Sequence, residues 1–77
     1  MDKRLLIVAR DYNQAQHWAK DQRLSPGRWV YVSSYHNIQG NAGSDYVLLD
    51  NWGLRPDAEI LFDALKEAGC PKSALSS

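Results

Sequence analysis

Five consecutive apolar residues near the N-terminus, Leu5-Leu6-Ile7-Val8-Ala9, constrain this chain more than any other feature. Successive side chains of a strand point to opposite faces of its sheet, so a strand covered on one face alternates apolar and polar residues. A run that is apolar at every position needs cover on both faces. It is of strand length, and turn-compatible residues follow it. The segment therefore reads as the central strand of a sheet enclosed between two layers.

The residues downstream supply those layers. Asp11 and Asn13 are good N-cap types, and Gln14 stands three positions after Asp11 as in a variant capping box. From there to Leu24 the chain has no Gly or Pro and is compatible with a helix. At about 100° per residue, Tyr12, Ala15, Trp18 and Ala19 share one face, with Gln22 at its weaker end. Ser25-Pro26-Gly27 terminates the helix. Arg28–Ser33 is rich in aromatic and β-branched residues and reads as a second strand. It sends Trp29 and Tyr31 to one face and Val30 and Val32 to the other.

Ser34–Ser44, with Asn37, Gly40, Asn41, Gly43 and Ser44, reads as a loop that can hold one helical turn around Ile38. Asp45–Asp50 is a third strand, and Asn51–Pro56 a loop leading to Asp57. Asp57 is expected to cap the last helix, whose apolar arc is Ile60, Leu61, Ala64, Leu65 and Ala68. Phe62 lies off that arc, at its margin or exposed. Gly69 occupies the C′ position and Pro71 prevents continuation. Lys72–Ser77 shows no pattern and is expected to fray.

The order β-α-β-loop-β-α predicts a parallel, right-handed first unit. The eleven residues of Ser34–Ser44 are long for a hairpin, where about two to five are usual. They are long enough to reach across a short sheet. The expected fold is therefore α/β: a three-stranded, mostly parallel sheet of order 2-1-3 with two main helices, Rossmann-like, in a single domain over residues 1–77. An antiparallel pairing of strands two and three is the rival arrangement.

Composition narrows function mainly by exclusion. Of 77 residues, 44% are hydrophobic and 23% charged, which suits a globular domain rather than a disordered segment. No apolar run of about 18 residues exists to span a membrane. The one cysteine, Cys70, cannot form an internal disulfide, which fits a reducing cytosol. His17 and His36 are too far apart, with one Cys, to suggest zinc. No glycine-rich phosphate loop follows the first strand. Val47-Leu48-Leu49-Asp50 resembles a magnesium-binding strand end, but apolar strands ending in Asp are common, and Asp50 is read as structural or solvated. Ser33, Ser34, His36 and Asp50 are triad residue types without an elbow motif. No catalytic residue, metal ligand or cofactor is assigned.

What remains is surface. Residues 1–40 carry six basic and three acidic residues, and residues 41–77 the reverse, so a neutral total hides a dipolar chain. Three Trp and four Tyr exceed what a three-stranded sheet can bury, and Trp, Tyr and Arg are over-represented in binding hot spots. In an open parallel sheet ligands gather beyond the carboxyl ends of the strands at the switch point. That places Arg10, Asp11, Tyr12, Asn13, Asn51, Trp52 and Arg55 at the candidate site, with Tyr35 as a further aromatic. Trp52, between the turn formers Asn51 and Gly53, is expected to project from a tight loop and lead binding.

Ile7-Val8-Ala9-Arg10-Asp11-Tyr12-Asn13-Gln14-Ala15, Arg28-Trp29-Val30-Tyr31-Val32-Ser33-Ser34 and Trp52-Gly53-Leu54-Arg55-Pro56-Asp57 together resemble a set of short actinobacteriophage proteins. Those proteins pair a similar first strand and helix start with a central aromatic strand and an Arg-Pro stretch before the last helix. The chain departs from them at Asn37-Ile38-Gln39-Gly40, where many carry arginines. The resemblance implies a Rossmann-like or RecA-like sheet without the phosphate loop. It also implies a phage-encoded accessory protein acting in the cytoplasm of a bacterial host, and supplies no catalytic residues. The expected function is a non-enzymatic interaction module that binds a host or phage protein, or itself, without a membrane. The alternative is nucleotide or small-anion binding at the switch-point cleft, with Arg10 and Arg55 on the anion and Trp52 stacked on a base. Nucleic-acid binding through the basic first half is a third reading.

Overall fold

The structure, a computed structural model, describes residues 4–73. The elements run β1 (Leu5–Val8), α1 (Tyr12–Asp21), β2 (Trp29–Tyr31), α2 (Tyr35–Gln39), β3 (Tyr46–Leu48) and α3 (Ala58–Glu67). Short 3-10 turns at Pro26–Arg28 and Trp52–Leu54 lead into β2 and α3. The sheet order is β2-β1-β3, and β1 pairs in parallel with both neighbours. Leu5 stands opposite Trp29 and Ile7 opposite Tyr31 on one side. Leu6 stands opposite Tyr46 and Val8 opposite Leu48 on the other.

Central placement explains the uninterrupted apolar run. Leu5, Ile7 and Ala9 face α1, where they pack with Ala15, Ala19, Val47 and Leu49. Leu6 and Val8 face the opposite layer, with Val32, Ile38, Leu61 and Leu65. Each fully buried Leu or Ile contributes about 1.5–3 kcal/mol through its removal from water. The strand-two alternation holds: Trp29 and Tyr31 pack on the α1 side, Val30 on the other. The first crossover runs from the centre out to β2 and the second back across the sheet to β3, so a common hand puts α1 on one face and α2 on the other, as observed.

The segment after β2 is more ordered than a loop. Ser34 and Asn37 form a reciprocal capping box, and Ile38 is fully buried between the sheet and α3. This five-residue helix is the helical turn expected around Ile38, extended to Tyr35–Gln39. Its apolar signal is a single residue, too little for periodicity to register.

Three local expectations are corrected. Asp57 occupies the N-cap position of α3 but makes no side-chain cap; its carboxylate turns to Arg55 instead. Ile60, expected in the core, is 57% exposed, because a narrow sheet accepts only the part of the α3 arc centred on Leu61 and Leu65. Lys72 and Ser73 do not fray. Lys72 bridges Tyr46 in parallel, Tyr46 N–H donates to the Pro71 carbonyl, and Ser73 N–H donates to the Tyr46 carbonyl. The rest of that expected tail, residues 74–77, lies outside the described residues. Phe62 takes its expected place at the margin, half-buried against Trp52.

Both long helices end in the same motif. At α3, Cys70 N–H donates to the Leu65 carbonyl and Gly69 N–H to that of Lys66, with Gly69 at φ +69°, a Schellman ending. At α1, Leu24 N–H donates to the Ala19 carbonyl and Arg23 N–H to that of Lys20. Here the left-handed residue is Arg23, at φ +58°. A side chain in that conformation is disfavoured by contact between Cβ and the backbone. Arg23→Gly should therefore stabilise the fold by about 0.5–1 kcal/mol, the left-handed strain less the extra chain entropy of glycine. Chemical denaturation of the two proteins measures the difference.

Candidate functional site

All strands of a parallel sheet end at the same edge, and their last carbonyls converge there without ladder partners. In this chain one side chain answers most of that demand. Arg55, in the connector between β3 and α3, lays its guanidinium across the ends of β1 and β2. Nη1 donates to the carbonyls of Val32 at 2.6 Å and Ala9 at 3.2 Å. Nη2 donates to the Ser33 carbonyl at 2.9 Å and to Asp57 Oδ2 at 3.1 Å, and Nε to Asp57 Oδ1 at 3.0 Å. Every N–H of the guanidinium thus has an acceptor. The side chain is only 9% exposed and lies 5.6 Å from the centre of the Tyr31 ring.

The β1–β3 side of the same edge is closed by Gln14. Its N–H donates to Asp11 Oδ1 at 2.8 Å, completing the expected helix cap. Its Oε1 accepts from Arg10 N–H at 2.8 Å, and its Nε2 donates to the Asp50 carbonyl at 2.7 Å. Beside this bridge, an open groove of about 490 Å³ runs along α1, lined by Arg10, Asp11, Asn13, Trp18, Asp21 and Asp50 among others. The Asp11 carboxyl is held below the usual carboxylate range, first by the Gln14 N–H and then by Arg10, whose Nε lies 3.3 Å away.

The expected site residues separate into groups. Arg10, Asp11 and Asn13 line the groove. Asn51 is exposed nearby in the left-handed conformation, at φ +68°. Tyr12 lies outside the groove, edge-on to Tyr31 with centres 5.7 Å apart and 6.0 Å from Trp29. Tyr35 opens α2 on the opposite layer, stacked 4.2 Å from His36. Trp52 does not project: it is half-buried against the α3-side core, with its ring 6.0 Å from that of Phe62. Neither Trp52 nor Arg55 lines the groove that holds Arg10. The Arg10–Arg55–Trp52 constellation expected for an anion and a base is therefore not brought together.

Among the described residues, the exposed large apolar side chains are Tyr12, Tyr35, Leu54 and Ile60. Tyr35 and Ile60 border a groove of about 310 Å³ between α2 and α3, with Asp63 and Glu67 on its rim. Ile60 and Leu54 escaped sequence reasoning. The available signal for Ile60 was the width of the α3 stripe, broader than one short sheet can cover. Among the described residues no three His, Cys, Asp or Glu side chains gather as a metal site, and no helix is long and apolar enough to cross a membrane.

Arg55→Lys should destabilise the protein by about 2–4 kcal/mol, because one ammonium cannot replace the planar fork and leaves carbonyls and Asp57 underserved. A denaturant melt reads the loss. The lowered Asp11 value implies stability that is present above the ordinary carboxylate value of about 4 and lost as pH falls through the lower folded value. Asp11→Asn keeps a capping oxygen but removes the charge. Melts between neutral and strongly acidic pH should show a shallower acid-side decline in that variant. Comparison of the chain with protein-family models, curated proteins and solved structures finds no match.

Proposed function

We propose that this protein is a non-enzymatic interaction module that docks a partner protein on the α2–α3 layer. A phage origin and action in the cytoplasm of a bacterial host belong to the same proposal and rest on the resemblance of its strand and loop motifs. One observation carries the docking reading. Arg55, expected to hold an anion with Arg10, is instead saturated by backbone carbonyls and Asp57. Large apolar side chains are meanwhile left in solvent, Ile60 at 57% and Leu54 at 74%.

The α2–α3 groove sets the chemistry of the partner. Ile60 and Tyr35 offer an apolar and an aromatic contact, and Asp63 and Glu67 flank them. Glu59 lies on the same helix, one residue before Ile60. A complementary surface presents an apolar side chain ringed by Lys or Arg, which favours encounter through charge and affinity through burial. The partner is a host or phage protein of that character.

Ile60→Asp tests the reading. An exposed position leaves no cavity, so the melting temperature should hardly change. Partner affinity should fall by about tenfold or more, as at a central interface contact. The measurement is affinity capture from host lysate with the natural chain, followed by titration of the captured protein against both variants. Capture of nothing by the natural chain, or equal binding by Ile60→Asp, rejects the α2–α3 docking site.

A further inference from the structure

The two edges of the sheet are treated differently. Beyond β3, Pro71–Ser73 pairs with Tyr46 and takes up both of its outward backbone groups. β2 has no such cover among the described residues. Val32 N–H donates to the Ile7 carbonyl, so the even-numbered residues of β2 bond to β1. In a strand the alternate residues turn their backbone groups the other way. Trp29 and Tyr31 therefore present their N–H and C=O groups at an open edge. The edge is bounded. The next outward residue, Ser33, already donates its N–H to Asn37 Oδ1 at 3.0 Å and accepts from Arg55 Nη2 at 2.9 Å.

We propose that β2 pairs antiparallel with β2 of a second copy of this chain, joining two sheets across a two-fold axis at Val30. The proposal deepens the interaction reading above by naming self-association and assigning it a surface separate from the α2–α3 groove. Only an extended strand can satisfy a row of backbone donors and acceptors. The required partner is an open strand of high β propensity, and Trp29-Val30-Tyr31 is itself one.

The register is dictated by the groups that are free. With Val30 opposite its mate, Trp29 faces Tyr31 of the second copy and exchanges both backbone hydrogen bonds with it. The symmetry-related pair does the same. All the open groups of Trp29 and Tyr31 are then used, and none of Ser33 is needed. On the α1 side the arrangement sets each Trp29 ring opposite a Tyr31 ring, a favourable cross-strand pair. Tyr12, 53% exposed and already against both rings, flanks that seam from each copy. Trp29–Tyr31 carries no charge, and the chain has a formal net charge of zero, so no net repulsion opposes two like copies. The strand is protected as an edge only by its three-residue length, and Trp29–Tyr31 contains no Lys or Pro.

The test uses the full chain with Cys70→Ser and Val30→Cys. A non-hydrogen-bonded antiparallel pair on the two-fold brings the Cα atoms to about 4.5 Å, within the range of a disulfide. Mild oxidation should give a covalent dimer at position 30, reversed by reductant. Light scattering of the natural chain should show the mass double between micromolar and millimolar concentration. Over the same range, amide exchange at Trp29 and Tyr31 should slow. A chain that stays monomeric, with those amides exchanging as exposed groups do, overturns the proposal. So does a dimer that Val30→Cys fails to trap, or protection of those amides only by an added foreign strand. A monomer that still binds a partner through Ile60 removes this dimer and leaves the α2–α3 reading standing. A trapped dimer with no partner capture does the reverse.

Discussion

A parallel sheet directs the carboxyl ends of all its strands to one edge, and the carbonyls there must find donors outside the ladder. A large α/β protein has loops and helices enough to meet that demand and still leave a crevice for a ligand. This chain is too short to do so with backbone. Arg55 does it with a side chain, joining the ends of β1 and β2 to the connector after β3 and to Asp57 at the head of α3. The fork geometry of a guanidinium suits the task, since it offers several donors in one plane. The carbonyls and the carboxylate around it offset the cost of holding that charge away from water.

The clamp has consequences for where the molecule can act. Arg55 and Gln14 together occupy the switch point that a ligand would enter in a larger sheet of this kind. The groove that remains beside Gln14 runs along α1 and is open to solvent. The proposed contacts accordingly fall on surfaces the clamp does not touch. One is the α2–α3 layer, where a narrow sheet leaves Ile60 uncovered. Another is the open edge of β2, which lies opposite the edge covered by Pro71–Ser73. The two proposals rest on different physics: burial and charge complementarity on the helices, and backbone pairing at the strand.

The strands and the two long helices were legible because each carries a signal that repeats. The run Leu5–Ala9 is apolar at every position, β2 alternates, and α3 repeats Leu61 and Leu65 four residues apart. The Asp11–Gln14 cap was legible because capping acts over three residues. Of α2 only a turn around Ile38 was legible, since one buried isoleucine has no period and the rest of its order comes from packing against α3. Trp52 was misplaced for a related reason. Asn51 and Gly53 specify a turn, but the side of the turn on which the indole lies depends on Phe62, ten residues further on.

Local sequence thus determined the element types, their order and the central position of β1, because periodicity, caps and breakers act between neighbouring residues. It also pointed to a parallel sheet through the length of the β2–β3 connection. Only the tertiary structure decided which charged groups were spent. Arg55 reaches carbonyls 22 to 46 residues away, and Gln14 reaches across 36 residues to Asp50. An arginine destined for a ligand and one destined for strand ends look alike in a sequence. The difference lies in which acceptors the fold delivers within about 3 Å of the guanidinium.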